Sequence, residues 1–164
     1  MSQKHQIFHE CEAALITCED FRLHQRKDGR NYVAEYILSL GVDCDLITRA
    51  GGVQDLLRPG GTGFADSVIR DGDVSHRLHK VDMILMLNHG DCGAYAGFGF
   101  KTLDDELRKH SQDIRRTLKM LHLLFPLKRL VGSFAELMPG TTDIFEKPKK
   151  IGEYKPGAKK MIFT

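Results

Sequence analysis

The chain has 164 residues, enough to bury one core and too few for two ordinary domains. Its 24 Lys plus Arg against 22 Asp plus Glu leave a formal charge of +2, which argues against a nucleic acid or membrane surface held by a basic field. No apolar run nears bilayer-spanning length and the polar start MSQKHQIFHE lacks a secretory core, so the expectation is a cytoplasmic protein with a small-molecule partner.

Residues 1–12, with Ile7 and Phe8 in a polar setting, are expected as an arm or short helix. Ala13, Ala14, Leu15, Ile16 and Thr17 form an apolar run without alternation, the pattern of a strand covered on both faces in a parallel sheet. That run ends at Cys18-Glu19-Asp20-Phe21-Arg22. Over residues 28–40 the period becomes helical, with Val33, Ile37 and Leu40 on one face, Asp28 placed to cap the start and Gly41 the end. Residues 42–48 alternate apolar with acidic side chains, a more exposed strand that closes on Arg49-Ala50-Gly51-Gly52.

Residues 57–63 read as loop, and 64–80 as a helical pattern carrying Val68, Ile69 and Leu78 but interrupted by Gly72. Residues 81–95, VDMILMLNHGDCGAY, are an apolar strand that stops abruptly at His89-Gly90-Asp91-Cys92-Gly93. A long helix follows over 103–124, capped by Thr102 with Asp105 three residues on, its buried stripe being Leu103, Leu107, Ile114, Leu118 and Leu121. Pro126 stops it. Residues 127–137 supply a last strand, and 139–164, rich in Pro and Gly with six lysines between 147 and 160, read as a solvated tail.

Strands alternating with helices predict a single α/β domain: a mainly parallel β-sheet flanked by helices, with ligands outside the carboxyl ends of the strands. Cys18, Arg49 and His89 with Cys92 all occupy such ends. The four cysteines (Cys11, Cys18, Cys44, Cys92) are too few and scattered for a disulfide scaffold, which leaves thiols for metal or packing. Cys18, His89 and Cys92 make a Cys2His set suited to Zn2+, and three protein ligands with an open fourth position is the arrangement of catalytic zinc.

Residues two apart on an extended segment face one side, so Cys18, Asp20 and Arg22 are expected to project together. Paired with Arg22, Asp20 stays ionised and accepts the hydrogen of a zinc-bound hydroxide, turning the oxygen lone pair towards substrate. Two thiolates donate more charge than imidazoles, so activity is expected to rise on the alkaline side of neutral. Cys44 is expected in the core and Cys11 is unassigned; His76 and His79, at i, i+3, read as a solvated helix face rather than a second metal site. His24, His110 and His122 show no partner in the sequence. No G-x-G-x-x-G or P-loop follows a strand, which argues against a nucleotide enzyme.

Cys18-x-Asp20-x-Arg22, the Arg49-Ala50-Gly51-Gly52 turn and His89-x-x-Cys92-Gly93 together resemble the β-class carbonic anhydrases in their smaller bacterial and archaeal form, over residues 13–95. The resemblance implies a β-carbonic anhydrase-like fold, a homodimer or dimer of dimers, and zinc on Cys18, His89 and Cys92. It also implies an Asp20–Arg22 catalytic dyad, with Asp20 as fourth ligand in a closed form. The activity it implies is carbonate dehydratase, a zinc lyase that hydrates CO2 reversibly to bicarbonate. Phe21 stands where the family usually has serine and Asn88 where it usually has glycine, which bears on the pocket expected from Phe21, Gly51, Gly52 and Gly93. Hydrolysis of COS or CS2 at the same site, with Phe21 narrowing the pocket, and a non-catalytic zinc-binding homologue are the alternatives.

Overall fold

A computed structural model describes residues 10–58, 62–138, 140–141 and 145–163; most of the arm expected over residues 1–12 lies outside them. Four strands run parallel: β1 (Ala13–Cys18), β2 (Cys44–Arg49), β3 (Met83–His89) and β4 (Arg129–Ala135). Two antiparallel strands, β5 (Lys149–Tyr154) and β6 (Ile162–Phe163), extend the sheet to the order β2-β1-β3-β4-β5-β6. The expected α/β sheet is thus formed, and every residue of β1 is buried because helices cover both faces.

On one face Ala14, Ile16, Ile84 and Met86 pack with Val68 of α2 (Phe64–Leu78) and with Ile114, Leu118 and Leu121 of α3 (Leu103–Leu124). The other face packs Ala13, Leu15, Leu85 and Leu87 with Val33 of α1 (Tyr32–Leu40) and with Leu23, Tyr95 and Phe145. α3 lies so close to β4 that a Cβ on Gly132 would overlap Ile114 Cγ2, so only glycine fits there without repacking. Among the described residues no helix is long and apolar enough to cross a membrane.

Several boundaries differ from those expected. α1 begins at Asn31, whose Oδ1 accepts the Ala34 N–H at 2.8 Å, whereas Asp28 accepts the Arg30 N–H in the preceding turn. Gly41, at φ 66°, ends the helix as expected. α2 runs unbroken through Gly72, which is buried. Thr102 caps α3 by accepting the Asp105 N–H, but Leu103 is 74% exposed. The buried face of α3 opens instead with Glu106, His110 and Asp113, polar groups that an apolar stripe does not reveal.

The solvated tail expected over 139–164 is the largest correction. Residues 149–154 form β5, hydrogen-bonded to β4 with Tyr154 opposite Leu130, and its last four residues are buried. The lysines do not repel this strand from the sheet because they are paired. Glu153 accepts from Arg129 at 2.7 Å and Lys150 at 3.0 Å, and Lys149 reaches Glu136 at 2.5 Å. Burial raises the Glu153 pKa, but the two cations outweigh it and hold the carboxyl below its ordinary value. A depressed folded-state pKa adds stability that is present above the unfolded value and lost as pH falls through the folded one. Glu153→Gln should therefore flatten the fall in urea midpoint below about pH 4.5; an acid limb identical to wild type would contradict this coupling.

Candidate metal centre

Parallel pairing sets Thr17 opposite Leu87, so β1 and β3 deliver Cys18 and His89 to the same edge. Cys92 follows His89 around a tight turn and is buried like the other two. One donor atom from each residue lies within 4.8 Å of both others, and the Cys18 and Cys92 sulfurs are 3.7 Å apart. His89 is oriented by its own neighbour: Nδ1 lies 2.8 Å from the Gly90 carbonyl. A carbonyl only accepts, so Nδ1 carries the proton and Nε2 presents a lone pair. That Nε2 is buried without a hydrogen-bond partner among the described residues. Phe145 packs edge-on against the ring at 5.2 Å, a support from the segment read as tail.

These features fit a metal. Two thiolates bound to one tetrahedral zinc at 2.3 Å would stand about 3.8 Å apart, close to the spacing found. The Cys92 hydrogen bond lowers the Cys18 thiol pKa against the opposing cost of burial, and His89 lowers it further. Once one thiolate forms, its neighbour and burial push the other thiol up, an imbalance that a divalent cation between them removes. The Gly51 N–H also points at Cys18 Sγ, at 3.4 Å.

β1 ends at Cys18, so Asp20 and Arg22 do not share the face of an extended strand as expected. They meet through a turn in which Asp20 Oδ1 accepts the Arg22 backbone N–H at 2.9 Å. The Arg22 guanidinium then grips both carboxylate oxygens, Nε to Oδ1 at 3.0 Å and Nη2 to Oδ2 at 2.7 Å. Burial raises the Asp20 pKa, yet the Arg22 hydrogen bonds prevail and keep it below the ordinary carboxylate value. Oδ2 stands 3.9 Å from His89 Nε2.

Arg22 is held in turn by Asp91, through its carboxylate at 2.8 Å and its carbonyl at 2.7 Å. Asp91 has φ 54°, a left-handed backbone that aspartate tolerates better than most residues, and its N–H donates to Glu106 Oε1 at 2.7 Å. Neither Asp91 nor Glu106 stands out in the sequence. The available signal was the position of Asp91 between two candidate ligands.

Asn88 lies behind the centre rather than in it. Its Oδ1 accepts the Val53 N–H at 3.3 Å, and Nδ2 donates to His110 Nδ1 at 2.9 Å and the Tyr95 hydroxyl at 3.3 Å. Tyr95 continues to Asp113, which is paired with Lys109. Gly52 makes room for this amide: at φ 59°, its Cβ would stand 2.6 Å from Asn88 Oδ1. His24 and His110, which show no partner in the sequence, are thus both engaged, His24 Nε2 lying 2.7 Å from the Cys18 carbonyl. His122 stacks on Tyr154 at 4.0 Å.

The remaining expected pocket residues divide. Phe21 is 71% exposed and so does not point into the core. A Cβ on Gly93 would meet open space. Arg49, although at a strand end, turns its guanidinium to Ser67 and Asp71 of α2, each at 2.7 Å.

No protein-family model matches the chain. An uncharacterized protein of Rickettsia bellii (strain RML369-C) is 26% identical over 133 residues, spanning 77% of each chain. Among solved structures, a carbonic anhydrase from Glaciozyma antarctica aligns with a TM-score of 0.50 and 19% identity, over 84% of this chain and 80% of that one. The apo form of a carbon disulfide hydrolase gives a TM-score of 0.45 and 16% identity, over 76% and 73%. The likeness to the carbonic anhydrase concerns the fold; the chemistry rests on the residues described above.

Cobalt added to the reduced apoprotein should produce thiolate-to-metal charge-transfer absorption, and Cys92→Ser should diminish it while far-ultraviolet circular dichroism is retained. An undiminished band in that variant would remove Cys92 from the centre.

Proposed function

We propose that the protein is a zinc-dependent lyase that hydrates CO2 reversibly to bicarbonate. The observation that carries this reading is the set of three buried donors beside a carboxylate whose two oxygens are both gripped by one arginine. Cys18, His89 and Cys92 are the residues that would hold zinc, and the ion, when bound, would lower the pKa of water enough to supply a nucleophile near neutral pH.

Asp20 orients that nucleophile. Being ionised, it can only accept a hydrogen bond, so it fixes the O–H and leaves an oxygen lone pair aimed at the carbon of CO2. Arg22 holds Asp20 through both oxygens and opposes its swing into direct metal coordination. Asp91 and Glu106 keep Arg22 in place. With zinc bound, addition of that oxygen to CO2 would give bicarbonate, and the proton lost from water would pass to solvent. Gly51 backs the Cys18 sulfur, and Gly93, where a Cβ would meet open space, leaves room beside Cys92 for a small substrate.

Phe21 is exposed on the single chain, which lends COS or CS2 no added support over CO2. Asp20→Asn should lower the stopped-flow CO2 hydration rate by about a hundredfold or more, with zinc content retained, across about pH 7 to 9. Full activity in that variant would refute the assigned role. Sulfide release from COS or CS2 by zinc-loaded protein that leaves CO2 unhydrated would reassign the substrate.

A further inference from the structure

A second cluster of donors lies at the opposite end of the sheet. Cys11 precedes β1, Asp45 lies at the start of β2 and His79 caps the end of α2; one donor atom from each falls within 4.8 Å of both others. All three are half-buried. Seven residues of nearly extended chain separate Cys11 from Cys18, so the two clusters stand roughly 20 Å apart. The trio is fixed by its surroundings: the Cys11 N–H donates to the His79 carbonyl at 3.1 Å, and His79 Nδ1 lies 2.6 Å from Asp45 Oδ2.

Such a trio has two chemical readings. In a Cys–His–Asp relay the imidazole stands between thiol and carboxylate, with sulfur and oxygen on opposite ring nitrogens. Here sulfur, oxygen and nitrogen instead converge on one another, as ligands do around a single ion. We propose that Cys11, Asp45 and His79 form a second metal site, selective for zinc-type divalent cations, that fastens the segment ahead of β1 to the end of α2.

Thiolate, imidazole and carboxylate are all zinc donors, and one thiolate with one carboxylate neutralises the ion. With Nδ1 as the ring donor, zinc bonds of 2.0–2.2 Å require the His79 and Asp45 atoms to part by roughly 0.7 Å from their present contact. The ion takes the place of the Nδ1–H···Oδ2 hydrogen bond, the imidazole proton moving to Nε2, and the Cys11 thiol proton is released to solvent. A cleft of about 500 Å³, lined by Cys11 with Glu10, Glu12, His76 and Asp82 and by Lys80 and Lys128, opens the Cys11 side of the trio to solvent. His76, one helical turn before His79, has a buried Nδ1 without a hydrogen-bond partner among the described residues. Water in the cleft completes four-coordination. This site shares no residue with the centre at Cys18 and stands independently of the proposed hydratase activity.

The test is a zinc titration of reduced apoprotein in competition with a chromophoric chelator, repeated with cobalt. Wild type should bind two equivalents. Cys11→Ser and His79→Gln should each weaken one of them at least about tenfold while keeping the cobalt charge-transfer bands of the other centre. A Cys18→Ser/Cys92→Ser protein should retain one. Wild type saturating at a single equivalent would overturn the proposal without reference to any variant. So would two undiminished equivalents in folded Cys11→Ser or His79→Gln. Loss of CO2 hydration with both equivalents intact would instead count against the proposed function alone.

Discussion

Parallel pairing of β1 with β3 holds the candidate centre together, because no short segment of this chain could place Cys18 beside His89 and Cys92. The ladder fixes Leu15 opposite Leu85 and Thr17 opposite Leu87, and both strands then end at one edge. Thr17 adds a side-chain bond to the Leu87 carbonyl at 3.1 Å just before that edge. A slip of β1 by one residue would turn Leu15 to the other face and carry Cys18 away from the turn. Burial on both faces specifies the register, so the same hydrophobic energy that folds the sheet also sets the 3.7 Å between the sulfurs.

Around that fixed pair, polar groups act in layers. The Gly90 carbonyl selects the His89 tautomer, Arg22 fixes Asp20, Asp91 fixes Arg22, and Glu106 of α3 fixes Asp91. Asn88 forms a separate support, linking the Gly52–Val53 turn to His110 and Tyr95. Burial lowers the His110 pKa, which favours the neutral ring that can accept from Asn88. α3 therefore has two functions. Its C-terminal half packs Ile114, Leu118 and Leu121 into the core, and its N-terminal half supplies Glu106, His110 and Asp113 to the back of the centre.

The sequence made the strands and the donors legible because both are local signals. Apolar runs without alternation mark doubly covered strands, and Cys18, His89 and Cys92 sit where those runs stop. Supports brought in by tertiary contact were not legible. Phe145 and β5 come from a stretch whose lysines mimic a solvated tail, and only the structure shows Arg129 and Lys150 neutralising Glu153. Asn88 looked like a departure at a position expected to be glycine. The compensation is at Gly52, thirty-six positions earlier, where the missing Cβ admits the amide. Cys11 had no local partner either, and its neighbours Asp45 and His79 come from two other elements.

The most direct test of this account is zinc-edge anomalous diffraction from crystals of protein grown with zinc. The account requires an anomalous peak within about 2.0–2.3 Å of Cys18 Sγ, Cys92 Sγ and His89 Nε2, with Asp20 still held by Arg22. A zinc-containing crystal with no peak between those three atoms would contradict the centre itself. A peak also bonded to Asp20 would be the closed form, in which that carboxylate takes the fourth position, and would contradict only its being held by Arg22 under those conditions.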